Sequence, residues 1–155
     1  MPEAGNKLIL WVEDDPTSAT VLRTIKDDGT YGIARADTIS AAINRITNEP
    51  GIEYFNYIVV DLDMPYKEKD FTEEENDALS KMTETSIVTL SGWLWLKKYI
   101  LDKHPEYEMD QIIIYSRYTE NLPEQEKEIS SQLKAVINKL LDGPEKMYAA
   151  LDMSW

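Results

Sequence analysis

Three short apolar runs do most to limit the folds open to this chain: KLILWV (7–12), YIVV (57–60) and IIIY (112–115). None alternates polar with apolar residues, so each reads as a strand covered on both faces. Each stops at polar residues: Glu13-Asp14-Asp15-Pro16, Asp61-Leu62-Asp63-Met64-Pro65 and Ser116-Arg117. Helical spacing fills the intervals, with Val21, Leu22 and Ile25 first, then Ile39, Ala42, Ile43 and Ile46. Later come Trp93, Leu94, Leu96, Ile100 and Leu101, then Ile129 and Leu133 in a helix expected over 124–133, and last Met147, Ala150 and Leu151. Ile33 to Ala36 and Ala135 to Ile137 read as two weaker strands, the second ending at Asn138-Lys139. Pro16 suits a first helical turn, with Asp14 or Asp15 as cap. Gly29 suits a helix stop, Asp37 or Thr38 a second cap, and Asn48-Glu49-Pro50-Gly51 a break. Short buried strands alternating with helices predict an α/β fold: a doubly wound, five-stranded parallel sheet with helices on both faces. Ligands of such sheets bind beyond the carboxyl ends of the strands, where the strand order reverses.

The 155 residues suit one domain, 1–155. Between about 66 and 86 the pattern lapses into a polar, acidic stretch. It reads as a long insertion in loop form, with a helical turn near Glu74 to Met82 and regular order returning at Ile87. Trp93 and Trp95, two apart, do not share one helical stripe. One of them is therefore expected under the long loop or against a partner. The absence of cysteine excludes disulfides, thiolate metal sites and cysteine catalysis. One histidine, His104, builds no multi-histidine site, and its place before Pro105 suits a solvated helix end. Sixteen Lys and Arg against 29 Asp and Glu leave a net charge of −13, which repels phosphate backbones and anionic lipid. Nucleic acid is therefore not an expected direct partner. No apolar run reaches the ~18 residues of a membrane span, and the N-terminus lacks a signal-peptide layout. A cytoplasmic setting is expected.

A parallel sheet would bring the polar strand ends to one edge. Glu13 and Asp14 follow the first strand, Asp61 the third, Ser116 the fourth and Lys139 the fifth. Two carboxylates ~4 Å apart repel by ~4 kcal/mol at an effective dielectric of 20. A hard divalent cation on oxygen ligands offsets this, and Mg²⁺ suits a site with few carboxylates. The hydroxyl and the ammonium suit an incoming phosphoryl group.

LILWVEDDP, YIVVDLDMP, IIIYS and VINK, in that order, resemble the response-regulator receiver domain, the phospho-acceptor module of two-component signalling. The resemblance spans almost the whole chain and implies a flavodoxin-like (βα)5 fold. It implies that Asp61 accepts a phosphoryl group from a histidine kinase or a phosphotransfer protein. Glu13, Asp14, Asp61 and the backbone carbonyl of Asp63 would hold Mg²⁺. Ser116 would be the switch hydroxyl that moves to the phosphoryl oxygen, and Lys139 would pair with Asp61 or with that group. The module would be a signalling domain rather than an enzyme, and it would signal to an output protein the sequence does not name. A homodimer is one arrangement it admits. The chain ends soon after the last helix, so output is expected through protein contacts.

Four departures from the family pattern stand out. Pro65 lies 27 positions before Gly92, where the family has a far shorter spacer. Arg117 replaces a small residue after the switch hydroxyl, so Arg117 and Asp63 are expected to modulate access. Val136 stands where an aromatic switch residue is usual, and Leu140 where proline usually follows the lysine. These motivate a second reading, a pseudo-receiver that binds partners without phosphorylation. A third reading is a haloacid-dehalogenase-type phosphohydrolase, with Asp61 as nucleophile and Asp63 as general acid. It leaves Glu13 and Asp14 without a role.

Overall fold

The computed structural model describes residues 7–47, 55–84 and 88–153. The break at 48–51, Ile87 and Trp155 lie outside the described residues. All three apolar runs are strands: β1 (Lys7–Val12), β3 (Tyr57–Val60) and β4 (Ile112–Ser116). With β2 (Tyr31–Ala36) and β5 (Ala135–Asn138) they form one parallel sheet in the order β2-β1-β3-β4-β5. The order reverses between β1 and β3, so their carboxyl ends flank the crevice where such sheets bind ligands. β2 starts at Tyr31, two residues before the expected start, because Lys7 of β1 pairs with Tyr31 and the ladder continues to Val12–Ala36. Gly32 had broken the apolar pattern there.

Successive side chains along the strands go to opposite faces. Ile9, Trp11, Val59, Ile113, Tyr115 and Ile137 pack under α1 (Ala19–Asp28) and α6 (Glu145–Ala150). Both helices bury the stripes read from the sequence, Val21, Leu22 and Ile25 on α1 and Met147 and Ala150 on α6, with Leu151 just beyond. Gly29 stops α1 at φ 84°, a left-handed conformation in which a Cβ would be strained. On the other face Leu10, Val12, Ile58, Val60, Ile112 and Ile114 meet the remaining helices. These include α2 (Ile39–Thr47), whose first turn is capped by Thr38 Oγ1 accepting from Ala41 N at 3.0 Å. The helix expected over 124–133 is shorter, α5 (Glu124–Ser130), and Leu133 is buried just after it.

The insertion is more ordered than its composition predicts. A tight turn at Glu68–Asp70 leads into a 12-residue helix, α3 (Glu73–Glu84). Its start is a capping box: Thr72 N donates to Glu75 Oε1 (2.8 Å), and Glu75 N donates to Thr72 Oγ1 (3.1 Å). The segment is tied down at Asp70, which accepts from Ser40 Oγ on α2 at 2.7 and 2.8 Å and from Lys67 N at 2.8 Å. The Tyr99 hydroxyl adds a bond to the Asp70 carbonyl at 2.7 Å. Phe71 and Leu79 are buried inward.

Beneath lies α4 (Ser91–Trp95), continued by wider, i-to-i+5 turns over Leu96–Leu101. Trp93 and Trp95 are both fully buried, with α4 lying beneath the 66–86 segment. All five residues of α4 are buried, so the helix has no wet side and the one-stripe argument does not apply. The burial leaves both indole N–H groups without a hydrogen-bond partner.

Candidate functional site

Backbone pairing carries the strand ends to one edge. Glu13 N donates to Ala36 O (2.9 Å), Asp61 N to Val12 O (2.9 Å) and Lys139 N to Ser116 O (3.1 Å). The sheet thus brings Glu13, Asp61, Ser116 and Lys139 together. Asp61 is 6% exposed and both of its oxygens are engaged. Ser116 Oγ donates to Oδ1 at 2.6 Å, and Lys139 Nζ donates to Oδ2 at 3.0 Å. Tyr118 N donates to Ser116 Oγ at 3.1 Å, which fixes the hydroxyl's direction.

The Lys139 side chain is 5% exposed and also pairs with Glu13 and with Asp15, the latter at 3.3 Å. Burial alone would lower its pKa. The carboxylates of Asp61 and Glu13 outweigh burial and hold the ammonium above the ordinary lysine value. The loop after it is set by Asn138, whose Oδ1 accepts from Leu140 N (2.8 Å) and Leu141 N (3.1 Å). Its amide also donates to Thr119 Oγ1 at 2.9 Å.

On the other side of Asp61 a cleft of about 480 Å³ opens to solvent. Asp14, Asp15, Asp61 and Asp63 line it, with Tyr66 and Thr89 from the two ends of the insertion and Arg117 and Tyr118 opposite. Burial, then the nearby charges of Asp61 and Asp14, raise the Asp63 carboxyl above its ordinary pKa. Arg117 meets Asp15 at 3.5 Å across the mouth, and its side chain is 40% exposed. Glu13 lies outside the lining. It is 1% exposed and faces Trp11, Ser18 and Lys139 instead.

The cleft's donors are oxygens alone, the chemistry a hard cation takes. Among the described residues no three of them are drawn together as a finished metal cage. The donor type therefore fits Mg²⁺ at Asp14, Asp61 and the Asp63 segment, while Glu13 is turned elsewhere.

Gly92 explains how the insertion returns to the site. A Cβ there would stand 1.8 Å from the Asp61 carbonyl oxygen, so only glycine fits. Gly92 N donates to Leu62 O at 2.9 Å, and Ser91 Oγ bonds both Met64 N (2.9 Å) and Met64 O (2.6 Å).

Sequence reasoning missed Trp11, Ser18, Asp15 and Asn138. Trp11 carried a signal, since residues two apart along a strand share a face with Glu13. Asn138 carried one too, as asparagine side chains bond backbone N–H groups a few residues on.

No protein-family model matches the sequence, and no curated protein matches it. Solved structures do match. A CheY-like response regulator receiver domain protein from Methanospirillum hungatei is 20% identical, over 95% of this chain and 91% of that one, with a TM-score of 0.56. The Vibrio cholerae chemotaxis protein CheY4 is 16% identical, over 95% and 97%, with a TM-score of 0.58. A Burkholderia pseudomallei response regulator, whose structure holds a phosphorylated aspartic acid and a calcium ion, is 19% identical over 94% and 66%, with a TM-score of 0.52. At these identities the likeness is one of fold. The chain folds as a response-regulator receiver domain, divergent in sequence and enlarged between β3 and α4.

Proposed function

We propose that this chain is a two-component signalling receiver that takes a phosphoryl group on Asp61 and passes the change on through protein contacts. The observation that carries the reading is the pair of contacts on Asp61: a hydroxyl on one oxygen, an ammonium on the other, and an open acidic cleft beside them. The phosphodonor is a histidine kinase or a phosphotransfer protein. An Asp61 oxygen attacks phosphorus, the bond from phosphorus to the donor nitrogen breaks, and the donor imidazole leaves with its electron pair and is reprotonated. Asp14, Asp61 and the Asp63 carbonyl would hold Mg²⁺, which supplies charge neutralisation for the incoming anionic group. Lys139 turns from Asp61 to a phosphoryl oxygen, and Ser116 does the same from the opposite side. Arg117 and Asp63 stand at the cleft and tune access to it. The setting is cytoplasmic. Among the described residues no helix is long and apolar enough to cross a membrane.

The dehalogenase-type reading gains nothing from the fold. Its Asp-x-Asp strand is third in the chain here, and it is the Asp63 backbone N–H that meets Asp61, at 3.4 Å. The test is an intact mass after incubation with Mg²⁺ and acetyl phosphate. One added phosphoryl group in the wild type and none in Asp61→Asn is the expected result. An adduct that persists in Asp61→Asn removes the assignment. If partner binding is the same in both proteins, the phosphorylation-independent module is the better description.

A further inference from the structure

Glu13 follows β1 directly, and both of its oxygens are occupied. The Trp11 indole donates to Oε1 at 2.8 Å. Ser18 Oγ donates to Oε2 at 2.6 Å, and the Lys139 ammonium meets the same oxygen. The donors are themselves buried: Trp11 is 0% and Ser18 1% exposed. Trp11 stands edge-on to Tyr115, centroids 5.8 Å apart, and Lys139 Nζ lies 5.1 Å from the centre of that same ring. Ser18 sits just before α1, a position whose hydroxyl usually caps the helix, yet its side chain caps nothing there. The hydroxyl goes to Glu13 instead. Asp14, one residue on, is exposed and lines the cleft.

We propose that Trp11 and Ser18 are positioning residues that reserve the Glu13 carboxylate for Lys139 and hold it away from a divalent cation in the cleft. The proposal rests on the reading of the cleft given above. For Glu13 to turn toward a cation it must leave two buried donors and an ammonium. Hydrogen bonds to a charged group are the costly ones to break. The wild-type chain therefore binds the cation with fewer carboxylates than its acidic strand end contains. Removing one donor lowers the cost of the turn and strengthens cation binding.

Calorimetric titration of the intact chain with MgCl₂ tests this. Ser18→Ala should bind Mg²⁺ about ten- to a hundredfold more tightly than wild type, the range set by one charge-assisted bond. The gain should vanish when Ser18→Ala is made in a Glu13→Gln background and compared with Glu13→Gln alone. Trp11→Phe should shift affinity in the same direction, and it supplies a second donor deletion should either variant fold poorly. Equal or weaker binding in Ser18→Ala and Trp11→Phe overturns the proposal, as does a gain that survives in the Glu13→Gln background. Failure of the two readings separates cleanly. Unchanged affinity in variants that bind Mg²⁺ removes the clamp alone, whereas no binding in any protein, wild type included, removes both the clamp and the cation site.

Discussion

Asp61 divides its surroundings into two unlike halves. On one side the Lys139 ammonium is buried among Glu13, Asp15 and Asp61 and pairs with all three, with little solvent between them. On the other, Asp14 and Asp63 face an open cleft with no buried cation beside them, and Asp63 holds its proton more tightly than an isolated aspartate. The first half is finished as it stands. The second is left with excess negative charge. A site of this kind keeps its aspartate fixed in position while leaving one direction open for a cation and an anionic group to arrive together.

That contrast can be broken, most forcefully at the closed half. Lys139→Met strands Glu13 and Asp61 as buried carboxylates without a counter-ion, and should lower the unfolding free energy by about 3–5 kcal/mol in urea denaturation. An unchanged midpoint would mean that the closed half is wetter than it looks. The open half should respond to ligand instead. Mg²⁺ at about ten times its dissociation constant should raise the melting temperature by about 3 °C, read by differential scanning calorimetry. The gain should shrink in Asp14→Asn.

Titration sharpens the same comparison. Lys139 binds its proton more tightly folded than unfolded. Its stabilisation is complete below the ordinary lysine pKa and is lost as pH rises through the higher folded value. The stability difference between wild type and Lys139→Met should therefore narrow as pH rises above the ordinary lysine value. Asp63 shifts in the same direction, but for a carboxyl a raised pKa means that the ionised form present at neutral pH is the disfavoured one. Asp63→Asn should stabilise the metal-free chain by about half a kcal/mol at neutral pH, a small value because solvent screens the cleft. The smallest effect belongs to Arg117→Ala, which opens an exposed ion pair at the cleft mouth. It should speed adduct formation from acetyl phosphate within a few-fold.

Much of this layout was legible in the sequence because buried strands announce themselves. β1, β3 and β4 needed no alternation to be read, and the polar residues that stop them had to fall at one edge of a parallel sheet. Asp61, Ser116 and Lys139 were found that way. Direction was harder to read. Glu13 and Asp14 are adjacent and chemically alike, yet one points into the fold and the other into the cleft, and the bonds that hold Glu13 inward come from Trp11 and Ser18, two and five residues away. The insertion was misread for a different reason. Its helix buries little besides Leu79, so periodicity was faint, and the local signal lay in Thr72-x-x-Glu75, a capping box that composition conceals. The burial of both tryptophans was not legible because stripe arguments assume a helix with one wet side, and α4 has none.

The stapling of Ser91 to Met64 has a consequence for how this chain can vary. Met64 and Ser91 are 27 positions apart in sequence but share two hydrogen bonds, so everything between them is a closed excursion. Closing such a loop costs only about 0.6 kcal/mol for each doubling of its length. Residues could be gained or lost within it without moving Asp61, provided that some apolar cover remained over α4. The excursion is in that sense an exchangeable cartridge, a place where a lineage could change what the domain touches while its chemistry stays fixed.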